Sequence, residues 1–300
     1  MTELFNFGPF PILETPRLVL RELIQNDAEA VFAIRSDFEV TRYNTGLAYE
    51  RLDQARDIIQ AIRTGYVDGV ELRWGITLKD NPRVIGMCGF NYWVRHDRRA
   101  SVGYDLARAY WGQGLMTEAV NAMVKFGFEQ MNLNRIEADA DGRNPASARV
   151  LEKAGFKSEG VQYEQFYENG GFYNLHLFAL LRRKYLARQS LNANLVELLN
   201  NIVHSAELLA NDLGDKDSSF SLLARRTRDV LELHELNQTE ISDPIHFKKI
   251  MPKLHSPISF VHKNSESHLR HDGLSSAHRQ LVQSIHDNAQ SYLKIIDGLA

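Results

Sequence analysis

Tyr110-Trp111-Gly112-Gln113-Gly114-Leu115-Met116-Thr117-Glu118-Ala119 decides how this 300-residue chain is read. Just before it, Ser101-Val102-Gly103-Tyr104-Asp105-Leu106 is rich in residues that favour strands. Just after it, Ala119, Val120, Met123, Val124 and Phe126 to Phe128 recur at helical spacing. The stretch therefore predicts a strand, a short glycine-bearing loop and a helix. Two glycines let the backbone turn tightly and put no side chain between its amides and a ligand. The first N–H groups of the helix have no intrahelical partner, and the helix dipole adds partial positive charge there. Such a loop suits a pyrophosphate. An ordinary strand-to-helix turn, glycine-bearing for close packing, would use the same residues. No Gly-Lys-Ser/Thr follows, which excludes a Walker loop, and the third glycine of the dinucleotide fingerprint is missing.

A second stretch, Arg143-Asn144-Pro145-Ala146-Ser147-Ala148-Arg149-Val150-Leu151-Glu152-Lys153-Ala154-Gly155-Phe156, narrows the reading. Together the two resemble the GCN5-related N-acetyltransferase (GNAT) superfamily, and within it the RimJ/RimL branch. That branch reads roughly Gly-Tyr-x-Leu, then Tyr-Trp-Gly-x-Gly-x-x-Thr-Glu-Ala, then Asn-x-x-Ser-x-x-x-Leu-x-Lys-x-Gly-Phe. The opening Glu14-Thr15-Pro16-Arg17-Leu18-Val19-Leu20-Arg21 is similar to the branch's first strand. The resemblance runs from about Leu13 to Tyr185. It implies an α/β (α+β) GNAT fold with a mixed central sheet whose strands splay apart.

Composition agrees with a soluble globular protein and excludes some alternatives. The length suits two domains. A formal net charge of −3 disfavours a general nucleic-acid or anionic-membrane binder. The single cysteine, Cys88, cannot form an internal disulfide, which suits a reducing, cytoplasmic compartment. Glu3, Pro9 and Pro11 break up the apolar start, so no signal peptide or membrane span is expected.

In chain order, an aromatic arm (Phe5, Phe7, Phe10) precedes a strand at Leu18 to Leu23. A helix over Asp27 to Ile34 follows, N-capped by Asn26 or Asp27, then a second over Leu52 to Thr64. Strands are expected at Leu72 to Leu78 and Val84 to Trp93, around a turn at Lys79 to Pro82. Past the central helix come a strand at Arg135 to Ala140 and a helix begun by Asn144 and Pro145 and ended by Gly155. Strands at Val161 to Tyr167 and Tyr173 to Leu181 close the domain around a Glu168-Asn169-Gly170-Gly171 turn.

Near Arg188 the composition shifts: aromatic residues and glycines thin out, and most of the 11 histidines follow. The division is therefore 1–187 for the acetyltransferase-like domain and 188–300 for an all-α antiparallel helical bundle. Leu191 to Leu213 carry one long apolar stripe, Phe220 to Leu231 a second and Leu281 to Leu299 a last. Pro244, Pro252 and Pro257 suggest shorter helical pieces between them. The bundle is expected to complete a homodimer or bind a protein partner, or else to pack on the first domain.

The resemblance implies acetyl-coenzyme A as cosubstrate and no metal. His268, His271, His278 and His286 lack acidic or cysteine partners that would complete a ligand pattern. The backbone at Leu106 would hold the pantetheine arm, and Trp111, Gly112, Gln113, Gly114, Leu115, Met116 and Thr117 would form the pyrophosphate loop. Trp111 and Met116 depart from the superfamily pattern, though Trp111 is common in this branch. Asn144 would contact pantetheine and serve as an N-cap as well. Ser147 would protonate the departing thiolate. The family's usual carboxylate position falls on Phe166. Glu164, two residues earlier and so on the same strand face by alternation, competes with Asp105 as general base; a third route uses the ~10% of an α-amine already neutral at pH 7. The expected activity is acetyl transfer to a primary amine by direct attack in a ternary complex. The branch implies a protein N-terminal α-amine, while relatives also use small amines. The rival reading is a catalytically degenerate cofactor-binding domain whose bundle does the work.

Overall fold

The computed structural model describes residues 8–44, 48–168, 170–214, 218–236, 244–270 and 273–299. Phe5, Phe7 and Asn169 lie outside them. The described residues fall into two compact units, Met1–Tyr185 and Leu186–Ala300.

The first unit is one eight-stranded sheet in the order β1-β2-β3-β4-β5-β6-β8-β7. The strands are β1 (Leu13–Glu14), β2 (Leu18–Arg21), β3 (Leu72–Leu78), β4 (Asn81–Val94), β5 (Arg99–Leu106), β6 (Arg135–Asp141), β7 (Lys157–Glu168) and β8 (Gly171–Leu181). The helices are α1 (Ala28–Arg35), α2 (Phe38–Thr41), α3 (Leu52–Val67), α4 (Leu115–Glu129) and α5 (Pro145–Lys153). Apolar residues alternate along β2 to β5 and fill both faces. Leu18, Leu20, Trp74, Ile76 and Val102 pack with α4 on one face. Leu23, Val84 and Met87 pack with α1 and α3 on the other.

All neighbouring strands run antiparallel except β5 and β6, which are parallel. That one parallel pair is short. Its register covers only Arg99↔Arg135, Ala100↔Ile136 and Ser101↔Glu137. Beyond Ser101, β5 continues to Leu106 beside β4 while β6 continues to Asp141 beside β8. The sheet therefore opens into a gap between Val102–Leu106 and Ala138–Asp141. The expected splayed mixed sheet is present.

Local details depart from the expectation where side chains find better partners. Asp27 does stand before α1, but its carboxylate does not cap the helix. It takes a two-pronged ion pair from Arg21, both contacts 2.8 Å, and a bond from the Ile24 amide. The turn before β4 is tighter than Lys79 to Pro82, because Leu78 already pairs with Asn81. Of the aromatic arm, Phe10 packs on Tyr66 and Trp74 with ring centroids 4.8 and 6.2 Å away. The indole of Trp74 donates to the Pro11 carbonyl at 2.7 Å.

The second unit holds α6 (Arg182–Leu213), which begins in the first, with α7 (Ser218–Leu236), α8 (Pro244–Leu269) and α9 (Ser276–Leu299). Its core runs along Leu195, Leu199, Ile202, Phe220, Leu223, Leu254, Ile258, Ile285 and Tyr292. Side-chain pairs fix the directions. Phe220 meets His268 and Arg226 meets Phe260, so α7 and α8 are antiparallel. Arg279 bonds the Leu269 carbonyl and His255 meets Asp297, so α8 and α9 are antiparallel. One expectation is corrected. The prolines do not break α8 into pieces; Pro252 and Pro257 lie inside one helix. Each proline removes a backbone hydrogen bond. Burial of Ile250, Leu254, Ile258 and Val261 at three- and four-residue spacing keeps the helix together.

Candidate active site

The loop from Trp111 to Gly114 joins the open end of β5 to α4. Gly112 and Gly114 have φ of 74° and 76°, in the left-handed region that side chains rarely adopt. A Cβ at Gly112 would meet no atom within 4 Å, so backbone conformation, and not crowding, calls for glycine there. Gly114 is the N-cap of α4 and offers no side-chain acceptor to the first turn. The amides of Leu115, Met116 and Thr117 are thus left for an outside acceptor. Met116 is buried in the core under the loop, so its side chain does not stand between those amides and a ligand.

Three contacts brace the loop. The Trp111 indole donates to the Leu106 carbonyl at 2.7 Å, tying loop to strand. Gln113 Nε2 donates to the Ala109 carbonyl at 3.0 Å. Arg17 donates to the Gln113 carbonyl at 3.0 Å while pairing with Glu118 at 2.6 Å. Glu118 also accepts from Thr15 Oγ1 at 2.6 Å and from the Arg17 amide at 2.9 Å. Burial works to raise the Glu118 pKa, but the bonds from Thr15 and Arg17 outweigh it and hold it low. Thr15-Pro16-Arg17 in the first strand motif therefore locks the Thr117-Glu118-Ala119 end of the loop motif. This role of Arg17 was missed in the sequence, since nothing local links positions 101 apart.

Asn144 caps α5, its Oδ1 accepting from the Ser147 amide at 3.1 Å. Pro145 occupies the first turn, as expected. Ser147 Oγ lies 3.0 Å from the Tyr104 hydroxyl, which also donates to the Ser147 carbonyl at 3.1 Å. Burial holds the Tyr104 phenol far above its ordinary pKa, so it is a neutral hydroxyl. Tyr104 comes from the splayed half of β5, so β5 and α5 meet beside the gap. Tyr104 is the second residue that the sequence reading left without a role, although it stands in the quoted Gly-Tyr-x-Leu run.

The two expected carboxylates are not brought to Ser147. Asp105 follows Tyr104 and so points to the opposite face of the sheet. It is buried, pairs with Arg35 at 2.6 Å, and is paired in register with Met87 of the α1 and α3 core. Burial raises its pKa, while Arg35 and Arg73 act to lower it. Glu164 is exposed, with φ of 52°. The register jumps there from Gln162↔Leu175 to Phe166↔Tyr173, so β7 takes four steps while β8 takes two. That bulge breaks the alternation by which Glu164 and Phe166 would share a face. His176 pairs in register with Ala140 and its Nε2 crowds Gly142.

Arg143 joins the hairpin to the turn before α5. It pairs with Asp141 at 2.5 Å and Glu168 at 2.7 Å, and its guanidinium lies 3.4 Å from the Tyr173 ring centroid. The hairpin's Tyr163, Tyr167 and Phe172 are exposed. Cys88 is fully buried, and burial pushes its thiol up to about 12. Among the described residues, no three His, Cys, Asp or Glu side chains gather as a metal site.

Uncapped amides in a glycine loop, an opening in the sheet and a hydroxyl pair beside it fit a long thioester carrying a pyrophosphate. The family model for the acetyltransferase (GNAT) domain matches residues 17–157. The uncharacterized N-acetyltransferase YoaA of Bacillus subtilis is 39% identical over 173 residues, which are 58% of this chain and 98% of that protein. Two solved structures share the fold. RimL, a ribosomal L7/L12 α-N-protein acetyltransferase in complex with coenzyme A, superposes with a TM-score of 0.53 at 19% identity, covering 57% of this chain and 98% of RimL. Spermidine N-acetyltransferase from Vibrio cholerae, in complex with coenzyme A and spermine, gives 0.52 at 23% identity, covering 57% of this chain and 99% of its own. Matched to YoaA at that identity over almost the relative's whole length, this chain belongs to the GNAT acetyltransferases and is an acetyl-coenzyme A-dependent N-acetyltransferase.

Proposed function

We propose that the acceptor is a protein N-terminal α-amine, acetylated by direct attack on the thioester. The observation that carries this reading is the set of exposed aromatic side chains on the β7–β8 hairpin, a hairpin that Arg143 ties to the turn before α5. An open ribbon bearing Tyr163, Tyr167 and Phe172 suits an extended peptide better than a single small amine, which needs an enclosed pocket. The RimJ/RimL motif likeness supports the same acceptor.

In this reading the amides of Gln113 to Thr117 receive the pyrophosphate, and Arg17, paired with Glu118, steadies them through the Gln113 carbonyl. Trp111, Gly112 and Gly114 shape that loop. The backbone of β5 up to Leu106, together with the Asn144 amide, lines the pantetheine arm. Ser147, oriented by Tyr104, gives a proton to the departing thiolate. The ion pair of Asp105 with Arg35 suits an anchor for β5 more than a base. Acetyl-coenzyme A supplies the activated acyl group; the protein supplies placement and proton handling.

Thiol release with three acceptors tests the reading: a peptide with a free N-terminus, the same peptide N-blocked but bearing lysine, and spermidine. Turnover confined to the free N-terminus is expected. Turnover confined to spermidine would replace the reading with a polyamine one. Binding of acetyl-coenzyme A without turnover of any amine would leave a degenerate domain.

A further inference from the structure

We infer that Asp139 is the base that takes the proton from the acceptor's ammonium, across the gap from Ser147. The inference rests on the acetyl-transfer reading above and adds the missing half of its proton handling.

The register places Asp139. Ser101↔Glu137 is the last rung between β5 and β6. Asp139 stands two residues further along β6, level with Gly103 and within the unpaired segment that borders the gap. Ala138 and Ala140 pack into the α4 core, so alternation turns Asp139 to the other face. Tyr104 and Ser147 lie on the α4 and α5 face. A proton acceptor and a proton donor therefore flank the opening from opposite sides. An amine arriving on one face and a thiolate leaving on the other need that arrangement.

The surroundings leave this carboxylate free for such work. No hydrogen bond or ion pair reaches Asp139 from any described residue. The acidic groups near it on β5, β6 and β7 are committed elsewhere, and His176 of β8, level with Ala140, stands on the other face of the sheet. Glu137 is held by Tyr92, Arg99 and Arg135. Asp141 is held by Arg143, and Asp105 by Arg35. Glu159 of β7 is bound to Arg135. On the β8 side, Asp139 faces Leu177 in register, and Asp141 faces Leu175. Across the gap, Gly103 contributes no side chain. The Asn91 amide lies over it instead, within 2.6 Å of where a Cβ would stand, and is itself bonded to Arg73. Asp139 opens to solvent along one side, yet burial of its carboxyl raises its pKa. A carboxylate raised in this way is a better proton acceptor near neutral pH than an ordinary aspartate.

The step balances. The ammonium R–NH₃⁺ gives one proton to Asp139. The freed nitrogen lone pair forms the C–N bond at the thioester carbonyl carbon. The C–S bond breaks and its electron pair leaves with the coenzyme A sulfur. The nitrogen sheds its second proton, and the sulfur gains one through Ser147. The products are the amide, the free thiol and one proton, which Asp139 returns to solvent.

The experiment compares the full chain with Asp139→Asn and Asp139→Glu, using the acceptor that turns over best. Calorimetric titration with acetyl-coenzyme A and a thermal melt accompany the kinetics. For Asp139→Asn, cofactor affinity and melting are expected to stay within twofold and a few degrees of the wild type. Its kcat/KM should fall about 10²-fold at pH 7, and the deficit should shrink as pH rises above ~8, where an α-amine is already neutral. Asp139→Glu should recover part of the loss. A parallel pH profile with an undiminished rate would overturn the assignment and leave acetyl transfer intact. A constant deficit at every pH would also overturn it, making Asp139 a binding group only. A wild-type chain that binds acetyl-coenzyme A but transfers to no amine would overturn both readings together.

Discussion

Thr15 Oγ1 and Glu118 Oε1 are 2.6 Å apart although 103 positions separate them in sequence. The bond ties the turn before β2 to the first turn of α4, the helix that follows the glycine loop. Glu118 also takes the amide and guanidinium of Arg17, which in turn holds the Gln113 carbonyl.

Replacing Glu118 by Ala leaves those donors without their acceptor. A loss of about 2 kcal/mol in folding stability is expected, the usual cost of unpairing a charged hydrogen-bond group. Acetyl-coenzyme A affinity should fall too, because Arg17 no longer steadies the loop. Denaturant unfolding and calorimetric titration measure the two effects separately. The Glu118 pKa is held below the ordinary value of 4.5, so its contribution is full above that pH and fades as the pH falls further.

Trp111→Phe keeps the ring's bulk and removes the 2.7 Å bond to the Leu106 carbonyl. A neutral hydrogen bond contributes about 1 kcal/mol, so acetyl-coenzyme A should bind about fivefold more weakly. Melting temperature should barely change, since the indole is partly exposed. An affinity equal to the wild type's would show that the loop holds its shape without this brace.

Ser147→Ala should lower turnover and leave cofactor affinity nearly intact, because the hydroxyl acts on charge that develops late in the reaction. Tyr104→Phe should produce a smaller loss of the same kind. The double variant should be no worse than Ser147→Ala, since Tyr104 acts through Ser147. Additive losses would separate the two hydroxyls.

In the helical unit, His234 is fully buried and neither ring nitrogen has a partner among the described residues. Burial lowers its pKa. Burial also lowers that of His262, which stacks on His286 at 4.3 Å, with the neighbouring His286 charge acting the same way. The unfolded chain therefore binds protons that the folded bundle refuses. Bundle stability should be full above about pH 6.5 and decline as the pH falls below it. Hydrogen exchange in α7 and α8 at pH 7.5 and 5.5 tests this. His234→Leu should flatten the dependence.

What the sequence disclosed and what it withheld divide along a physical line. The glycine loop, the Asn144 cap and the Pro145 first turn are local, set by dihedral preference and bonds within a few residues. The exposure of Glu164 is not, because a two-residue bulge in β7 depends on how β8 pairs with it. The continuity of α8 through Pro252 and Pro257 depends on the core its apolar face meets. Asp139 and Tyr104 acquire meaning only once the last rung between β5 and β6 is known. Arg17 needs its distant partner, Glu118. Local chemistry writes motifs; long-range pairing decides which face each side chain serves.

The opening between β5 and β6 has a consequence for how the enzyme lives in its environment. Three rungs join the two halves of the sheet, and the rest of that seam is unfinished. In the placement proposed above, a cosubstrate along Val102–Leu106 would complete the seam and so become part of what holds the domain together. Ligand present at 100 times its Kd adds about 2.7 kcal/mol to the folded state. The enzyme's durability then rises and falls with the supply of its own acyl donor. A starved molecule is both idle and easier to unravel, and the amides between Val102 and Leu106 that face the gap, away from β4, should exchange their hydrogens faster without the cosubstrate than with it.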